Sequence, residues 1–514
     1  MAAKAGVAAG HEQTAQTAVE ILRAGGNAYD AAVAAIAMAC VCEPVLASPG
    51  GGGFLTALPV SGPPLVYDFF VQTPQCRNRD GENFYPIEVD FGDATQAFHI
   101  GPGASATPGL IKGLMTVSRE LGRMPIKEVL APAAALAREG VEINAFQAFL
   151  FEVVAPIYTD TAQARDQFCK DPNAKLLVGE GDTLHFPMLA DLLETLAIEG
   201  EDLFYRGEVA HAMLHQCRDH GGHLIERDLL DYEVERRPPC ELGYRGHQLF
   251  INPPPSSGGV LIGFALQLLA ALPVSRHGRL QHLRSLAEVM GLTSKARLDS
   301  AQRSPDDPLM RLLDPDFVQR YRVECAQRST ALRGTTHVSV IDQLGNHAAL
   351  TVSNGEGNGH MVPGAGFMLN NMLGEDDLNP NGFGLWRENE RMTSMMAPAV
   401  LHAKGANHSW VLGSGGSNRI RSAILQVINN LLDHSFDVNA AVNAPRIHLE
   451  DQLLNIEAGF DPEVVAALRE QFPEHHCWEG KSMFFGGVHT VERRPDGSVL
   501  GAADPRRGGC YLPQ

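Results

Sequence analysis

No stretch of this chain approaches the ~18 consecutive apolar residues of a bilayer-spanning helix, so no segment reads as one. Basic residues are also scarce: 41 Lys and Arg stand against 60 Asp and Glu, a formal net charge of −19. So negative a surface repels phosphate backbones and anionic lipid, which argues against nucleic-acid and membrane partners. The nine cysteines (Cys40, Cys42, Cys76, Cys169, Cys217, Cys240, Cys325, Cys477 and Cys510) are odd in number and lack metal-type spacing. That pattern fits reduced thiols rather than a disulfide framework. Met1 to Val7 leads into His11 without an apolar signal region, giving the expectation of a cytoplasmic protein. Internal repeats and low-complexity tracts are missing. Metal and phosphate motifs fail as well. His211 and His215 have i,i+4 spacing without the Glu of a zinc protease, Gly50 to Gly53 lacks the Lys-Ser/Thr of a phosphate loop, and His475-His476-Cys477 is too sparse for a metal site. The expectation is therefore no metal and no organic cofactor.

What is present is a chain of 514 residues, 44% hydrophobic and 20% charged, ordinary for a protein with a large core. Residues 13–42 keep helical spacing, interrupted at Gly25-Gly26 and restarting at Asp30. Amphipathic periods recur at 110–140 and 186–217, and another helix follows a Pro/Ser/Gly-rich turn at 260–272. Beyond Thr335 strands are expected at 335–342, 347–353, 409–413 and 484–493, with helices at 419–434 and 461–472. Helical blocks around such strands suit an α/β layered sandwich.

The most informative stretch is Gly334-Thr335-Thr336-His337-Val338-Ser339-Val340-Ile341-Asp342, an alternating strand that turns through Gln343-Leu344-Gly345-Asn346 into a second strand, His347 to Ser353. By itself a Thr-rich strand signals only β-propensity. A peptide bond broken before Thr335, however, would free an α-amine beside a nucleophilic hydroxyl. With a reference pKa of ~7.7–8, that amine is a suitable base at neutral pH. Gly334, lacking Cβ, leaves its carbonyl open to the Thr335 hydroxyl.

Other blocks stand in a fixed order around this strand: Ala24-Gly25-Gly26-Asn27-Ala28-Tyr29-Asp30, Glu43-Pro44, Ser48-Pro49-Gly50-Gly51-Gly52-Gly53-Phe54, Thr107-Pro108-Gly109 and Pro254-Pro255-Ser256-Ser257-Gly258-Gly259. After it come Leu369-Asn370-Asn371, Gly413-Ser414-Gly415-Gly416, Asn443-Ala444-Pro445-Arg446 and Ala503-Asp504-Pro505-Arg506. Together they resemble the γ-glutamyltransferase (glutathione hydrolase) family of N-terminal-nucleophile hydrolases, nearly end to end. The resemblance implies a four-layer αββα sandwich. It also implies a precursor that cuts itself into a large subunit, residues 1–334, and a small subunit, 335–514, led by the Thr335 nucleophile. The polar, broken segment 303–334 would become the large subunit's tail. Small-molecule amides would be the substrates, glutathione or another γ-glutamyl compound among them.

Residue by residue, the resemblance places Ser353 where a hydroxyl touches the nucleophile. Gly415 and Gly416, with Ser417 as a competing choice, stand at the oxyanion-binding turn before the helix near Arg419. His337 is read as structural. In the substrate pocket the pattern departs. Phe70 stands where the family carries the Arg that clamps a substrate carboxylate, Met372 replaces a Gln or Glu, and Ser394-Met395 replaces a Ser pair. A family Asn falls around Gly355 or Glu356. Glu375 remains to pair with a substrate ammonium, and Arg77 or Arg79 is the candidate substitute clamp. Losing a bidentate Arg and gaining apolar side chains leaves a carboxylate unpaired. Two alternatives therefore accompany the family activity: an amidase or acylase for a more apolar acyl group, and an unprocessed, non-enzymatic binding relative.

Cleavage between Gly334 and Thr335 should give fragments of roughly 36 and roughly 19 kDa from the 55.4 kDa chain, visible by electrophoresis with N-terminal sequencing. Thr335→Ala should leave one full-length band without activity.

Overall fold

Side chains along a strand alternate between faces, so the hairpin after Thr335 must satisfy two different neighbours at once. In a computed structural model of the chain, which describes residues 2–78, 81–90, 95–303, 309, 312, 314, 317–318, 334–379, 382–450 and 452–514, it does. From strand Thr336–Ile341, Val338 and Val340 pack with helices Glu12–Arg23 and Ala28–Cys42. On the opposite face, Ile341 packs with Val400, Val411 and Val491 of a second sheet, and Ala349 of strand His347–Ser353 joins them.

The first sheet has seven strands in the order Glu235–Arg237, Leu65–Phe69, Gly52–Leu58, His347–Ser353, Thr336–Ile341, Gly6–Ala9 and Cys510–Pro513, every neighbouring pair antiparallel. The second has six, in the order Cys240–Tyr244, His247–Ile251, Ala399–Ala403, Ser409–Gly415, Gly487–Arg493 and Val499–Ala502, also antiparallel. Its outer face, including Leu249, Leu401 and Leu412, packs with helices Ser257–Ala270 and Arg419–Leu432. The protein is thus a mixed α/β structure of helices and antiparallel sheets.

Several sequence blocks resolve into local supports. Asn27 caps helix Ala28–Cys42 in a capping box with Asp30, and Asp30 also accepts from the backbone of Arg123 and Met124. Every residue of that helix is buried, which explains its Ala-rich run. Asp342 closes the hairpin turn by accepting from the N–H groups of Leu344, Gly345 and Asn346, and its other oxygen accepts from Ala28 N–H. The Gly50–Gly53 run is a strand entry: a Cβ on Gly51 would lie 2.4 Å from the Ser353 carbonyl oxygen.

The expected helical stretches divide where glycine and proline intervene. The 110–140 period is two helices, Leu110–Leu121 and Ile126–Glu139, separated by Gly122 to Pro125. The 186–217 period is broken after Glu199, where Gly200 takes a positive φ, and again before Glu208. His211 and His215 lie exposed on the helix Glu208–His220. Most of the proposed tail 303–334 lies outside the described residues.

The two late Pro-Arg blocks meet in a buried ionic cluster. Asp504 binds Arg446 at 2.6 Å and Arg506 at 3.1 Å, and Arg506 also binds Glu457 at 2.5 Å. Burial works to raise the Asp504 carboxyl, yet Arg446 and Arg506, with the Arg506 and Val488 N–H groups, hold it below its usual range. Asp504→Asn leaves two guanidiniums short of a charge and should cost about 3–5 kcal/mol in denaturant unfolding. A carboxyl held low contributes stability above ~4 that is lost as pH falls through its folded value, so the gap between wild type and variant should narrow in acid.

Candidate active site

Thr335 directly precedes the strand Thr336–Ile341, and alternation turns it toward the second sheet while Thr336 turns into the helical layer. The Thr335 hydroxyl donates to the Gly334 carbonyl oxygen at 2.5 Å. The ladder pairs Thr336 with Val352, which brings Ser353 beside Thr335. Its hydroxyl also reaches the Gly334 carbonyl, at 2.9 Å, and itself accepts from Gly355 N–H at 3.1 Å. Ser353 thus grips the carbonyl before Thr335 rather than the Thr335 hydroxyl, the contact the resemblance implies. The Gly334 N–H donates to Glu356 Oε1 at 3.1 Å, a contact for which the sequence offered only a position near a family Asn.

A small cavity, about 30 Å³, opens at this point. Gly334, Thr335 and Ser353 line it together with Phe70, Met372, Glu375, Ser394 and Met395, residues drawn from distant segments. Leu378, Met396, Ser417 and Ile420 complete the wall, and the sequence had singled out only Ser417 among them. Glu375 stands between the short helical turns Met372–Gly374 and Asp376–Leu378. Its Oε1 lies 2.5 Å from where a Cβ on Gly355 would be, so only glycine leaves this carboxylate its place. Ser394 is pinned through its carbonyl, which accepts from Ser257 and Gly258 N–H and from the Ser256 and Ser257 hydroxyls.

The turn Gly415-Gly416-Ser417 joins strand Ser409–Gly415 to helix Arg419–Leu432. A Cβ on Gly415 would lie 2.1 Å from the Thr335 carbonyl oxygen. Neither Gly415 nor Gly416 is among the residues lining the cavity, whereas Ser417 is. Arg507, absent from the sequence-based candidates, donates to the Thr335 carbonyl at 3.4 Å. Burial pushes its guanidinium down to about 10 against the pull of Asp504, so it stays charged at neutral pH.

The clamp position is apolar in fact as in sequence. Phe70 is 1% exposed and stacks on Phe54 with ring centroids 5.5 Å apart. The guanidinium beside it, Arg391, is spent on the protein: it donates to the carbonyls of Phe70 (2.6 Å) and Glu233 (2.6 Å) and to the Tyr232 hydroxyl (2.6 Å), and pairs with Asp68 at 3.4 Å. Arg77 donates to the Trp386 carbonyl and stacks 4.3 Å over its ring, so it does not substitute as a clamp in this structure. Arg79 lies outside the described residues. No lysine or arginine stands among the described residues that line the cavity.

Beneath the strand that follows Thr335, Glu43 accepts from Thr336 (2.7 Å) and Thr14 (2.9 Å). It is wholly buried, and burial raises its carboxyl from 4.5 to about 7 despite those hydroxyls. His337 binds Thr351 at 2.7 Å and Ser339 at 2.9 Å. Burial, then His489, holds it well below its ordinary range. A neutral, doubly bonded ring has a structural role, as its sequence context indicates.

These blocks are matched by known proteins. The sequence model of the family described as Gamma-glutamyltranspeptidase matches residues 14–513. The chain is 31% identical over 554 aligned positions to the Escherichia coli (strain K12) glutathione hydrolase proenzyme, covering 98% of this chain and 91% of that one. It is 30% identical to the acylase ACY 1 proenzyme of Pseudomonas sp. (strain SE83), covering 98% and 92%. Among solved structures, cephalosporin acylase from Bacillus halodurans superposes with a TM-score of 0.85 at 23% identity, covering 99% of this chain and 96% of that one, a likeness of fold.

A carboxyl raised on folding favours the folded state fully below its unfolded value and loses that contribution as pH rises through the folded one. The window for Glu43 runs from 4.5 to about 7. Thermal midpoints measured across it should therefore fall more steeply with pH in wild type than in Glu43→Gln, which carries no titrating proton. Parallel curves would mean that folding leaves the Glu43 carboxyl at its unfolded value.

Proposed function

The chain belongs to the gamma-glutamyltranspeptidase family and is an N-terminal-nucleophile amidohydrolase, and from that premise we propose a self-processing enzyme that cleaves γ-glutamyl amides, glutathione among them, through an acyl ester on Thr335. The reading includes the αββα arrangement of the four layers and the division into subunits 1–334 and 335–514. The observation that carries it is the convergence of the Thr335 and Ser353 hydroxyls on one carbonyl, that of Gly334, at the mouth of a cavity.

In processing, the Thr335 oxygen adds to the Gly334 carbonyl carbon, which Ser353 polarises. The Gly334–Thr335 C–N bond breaks, its nitrogen takes the hydroxyl proton, and an ester remains. Water then releases the Gly334 carboxylate and restores the Thr335 hydroxyl, now beside a free α-amine. In turnover that amine takes the hydroxyl proton as the oxygen attacks a substrate amide. N–H groups of the Gly415–Ser417 turn bear the developing oxyanion, and the Arg507 charge behind them favours it. The leaving amine departs with a proton, and water or an acceptor amine resolves the ester. Glu375 would hold a substrate ammonium, with Ser394 beside it.

A second reading, an acylase for a more apolar acyl group, has its own support in Phe70, Met372, Leu378, Met395, Met396 and Ile420, on a wall without a cation among the described residues. The name of the Pseudomonas acylase relative accords with it. The two readings separate on the substrate carboxylate. A charge-assisted bidentate contact is worth a few kcal/mol, so its absence should raise KM for γ-glutamyl anilide by roughly 10- to 1,000-fold relative to clamp-bearing relatives. Comparing kcat/KM for γ-glutamyl anilide with its analogue lacking the α-carboxylate, in wild type and Phe70→Arg, decides between them. Strong wild-type preference for the carboxylate supports the γ-glutamyl reading. Indifference that Phe70→Arg converts to preference supports the apolar one.

A further inference from the structure

Gly334 is held at both of its backbone polar groups by one short turn. Its carbonyl accepts from Ser353, and three residues on Glu356 Oε1 accepts from its N–H at 3.1 Å. The turn is stiffened from outside. The Glu356 N–H donates to Asn371 Oδ1 at 2.9 Å, and Asn371 in turn donates to the His99 carbonyl. Gly355, at φ +64°, permits this only because it has no side chain: a Cβ there would lie 2.0 Å from Asn371 Oδ1. Glu356 is 3% exposed, so its carboxylate is placed on a scissile residue rather than offered to solvent.

Attack by a hydroxyl on the carbonyl of its own peptide bond is geometrically demanding, since the bond must lie with its face toward the oxygen. One contact to the carbonyl leaves Gly334 free to rotate about the axis through that contact, and glycine resists such rotation less than any other residue. A second contact on the N–H removes that freedom. We propose that Glu356 is the positioning residue for self-processing, holding the acyl side of the Gly334–Thr335 bond while Ser353 polarises it. The inference rests on the self-processing reading. It requires Glu356 to reach and accept, not to carry charge, because an N–H···O contact needs only an oxygen at the right place. The bonds made and broken are those of the processing step described above, and Glu356 exchanges no proton in it.

The test follows the appearance of the two fragments from freshly purified full-length chain, by electrophoresis, in wild type, Glu356→Gln, Glu356→Asp and Glu356→Ala. Misplacement of a reacting group by about 1 Å costs on the order of 100-fold, so Ala, which cannot accept, and Asp, shorter by one methylene, should process roughly 10- to 100-fold more slowly, while Gln should stay within about 3-fold of wild type. Hydroxylamine, which cleaves esters, should not restore cleavage in the slow variants, because the step they lose precedes the ester. Cleavage of Glu356→Ala at the wild-type rate, a Gln variant as slow as Ala, or rescue by hydroxylamine would each overturn the proposal. Should Glu356→Ala fail to fold, the Asp and Gln variants decide the matter alone. An uncleaved wild type counts against the self-processing reading itself and is told apart by its own lane.

Discussion

The contact on which this site depends is one of backbone against backbone: Gly415 lies so close to the Thr335 carbonyl that a side chain there would overlap it. It ties the end of a strand in the second sheet to the start of the central hairpin in the first. The turn at Gly415 and the Thr335 hydroxyl are thereby set by the packing of two sheets, not by loop conformation. The alternation of the hairpin does the rest. Odd-numbered positions from 335 to 341 turn to the neighbouring sheet and even-numbered ones to the helices, so adjacent threonines serve separate purposes. Thr335 faces the cavity, and Thr336 anchors the strand on Glu43.

Two kinds of support meet in the cavity. The hydroxyls at 335 and 353 are fixed by strand register, which tolerates no slip. The opposite wall comes from a strand end at Phe70, short helical turns around Glu375, and a segment at Ser394 that Ser256 and Ser257 pin in place. A guanidinium does stand nearby, that of Arg391, but inside the wall, where it holds the Phe70 carbonyl and Asp68.

Much of this was legible in order along the chain. The Gly-Thr-Thr-His strand, its hairpin partner and the turn at Gly413 to Gly416 are local patterns, and Phe70, Met372, Glu375, Ser394 and Met395 line one cavity with Thr335. Helix limits suffered where periodicity ran through glycine and proline, as at Gly122 and Gly200. What stayed hidden depends on pairs far apart in sequence. Nothing near Glu43 announces Thr14 and Thr336 as its partners, nothing near Arg507 announces the Thr335 carbonyl, and nothing near Glu356 announces the Gly334 N–H. The Pro-Arg blocks at 445–446 and 505–506 were visible as motifs, but their purpose, a shared buried ionic cluster, appears only in three dimensions.

Strand Gly6–Ala9 lies between Thr336–Ile341 and Cys510–Pro513, and Gly52–Leu58 pairs with His347–Ser353. The two sides of the Gly334–Thr335 bond are therefore woven through one sheet, with early strands inserted among late ones. Scission there, as proposed, would change the covalent graph without opening a seam: the halves would remain joined by ladders of main-chain hydrogen bonds and by the apolar layers on either face. Maturation of this kind is irreversible in a second sense. A chain that has been cut and then unfolded must reassemble the same weave from two separate molecules, against the entropy that a single chain had spared it.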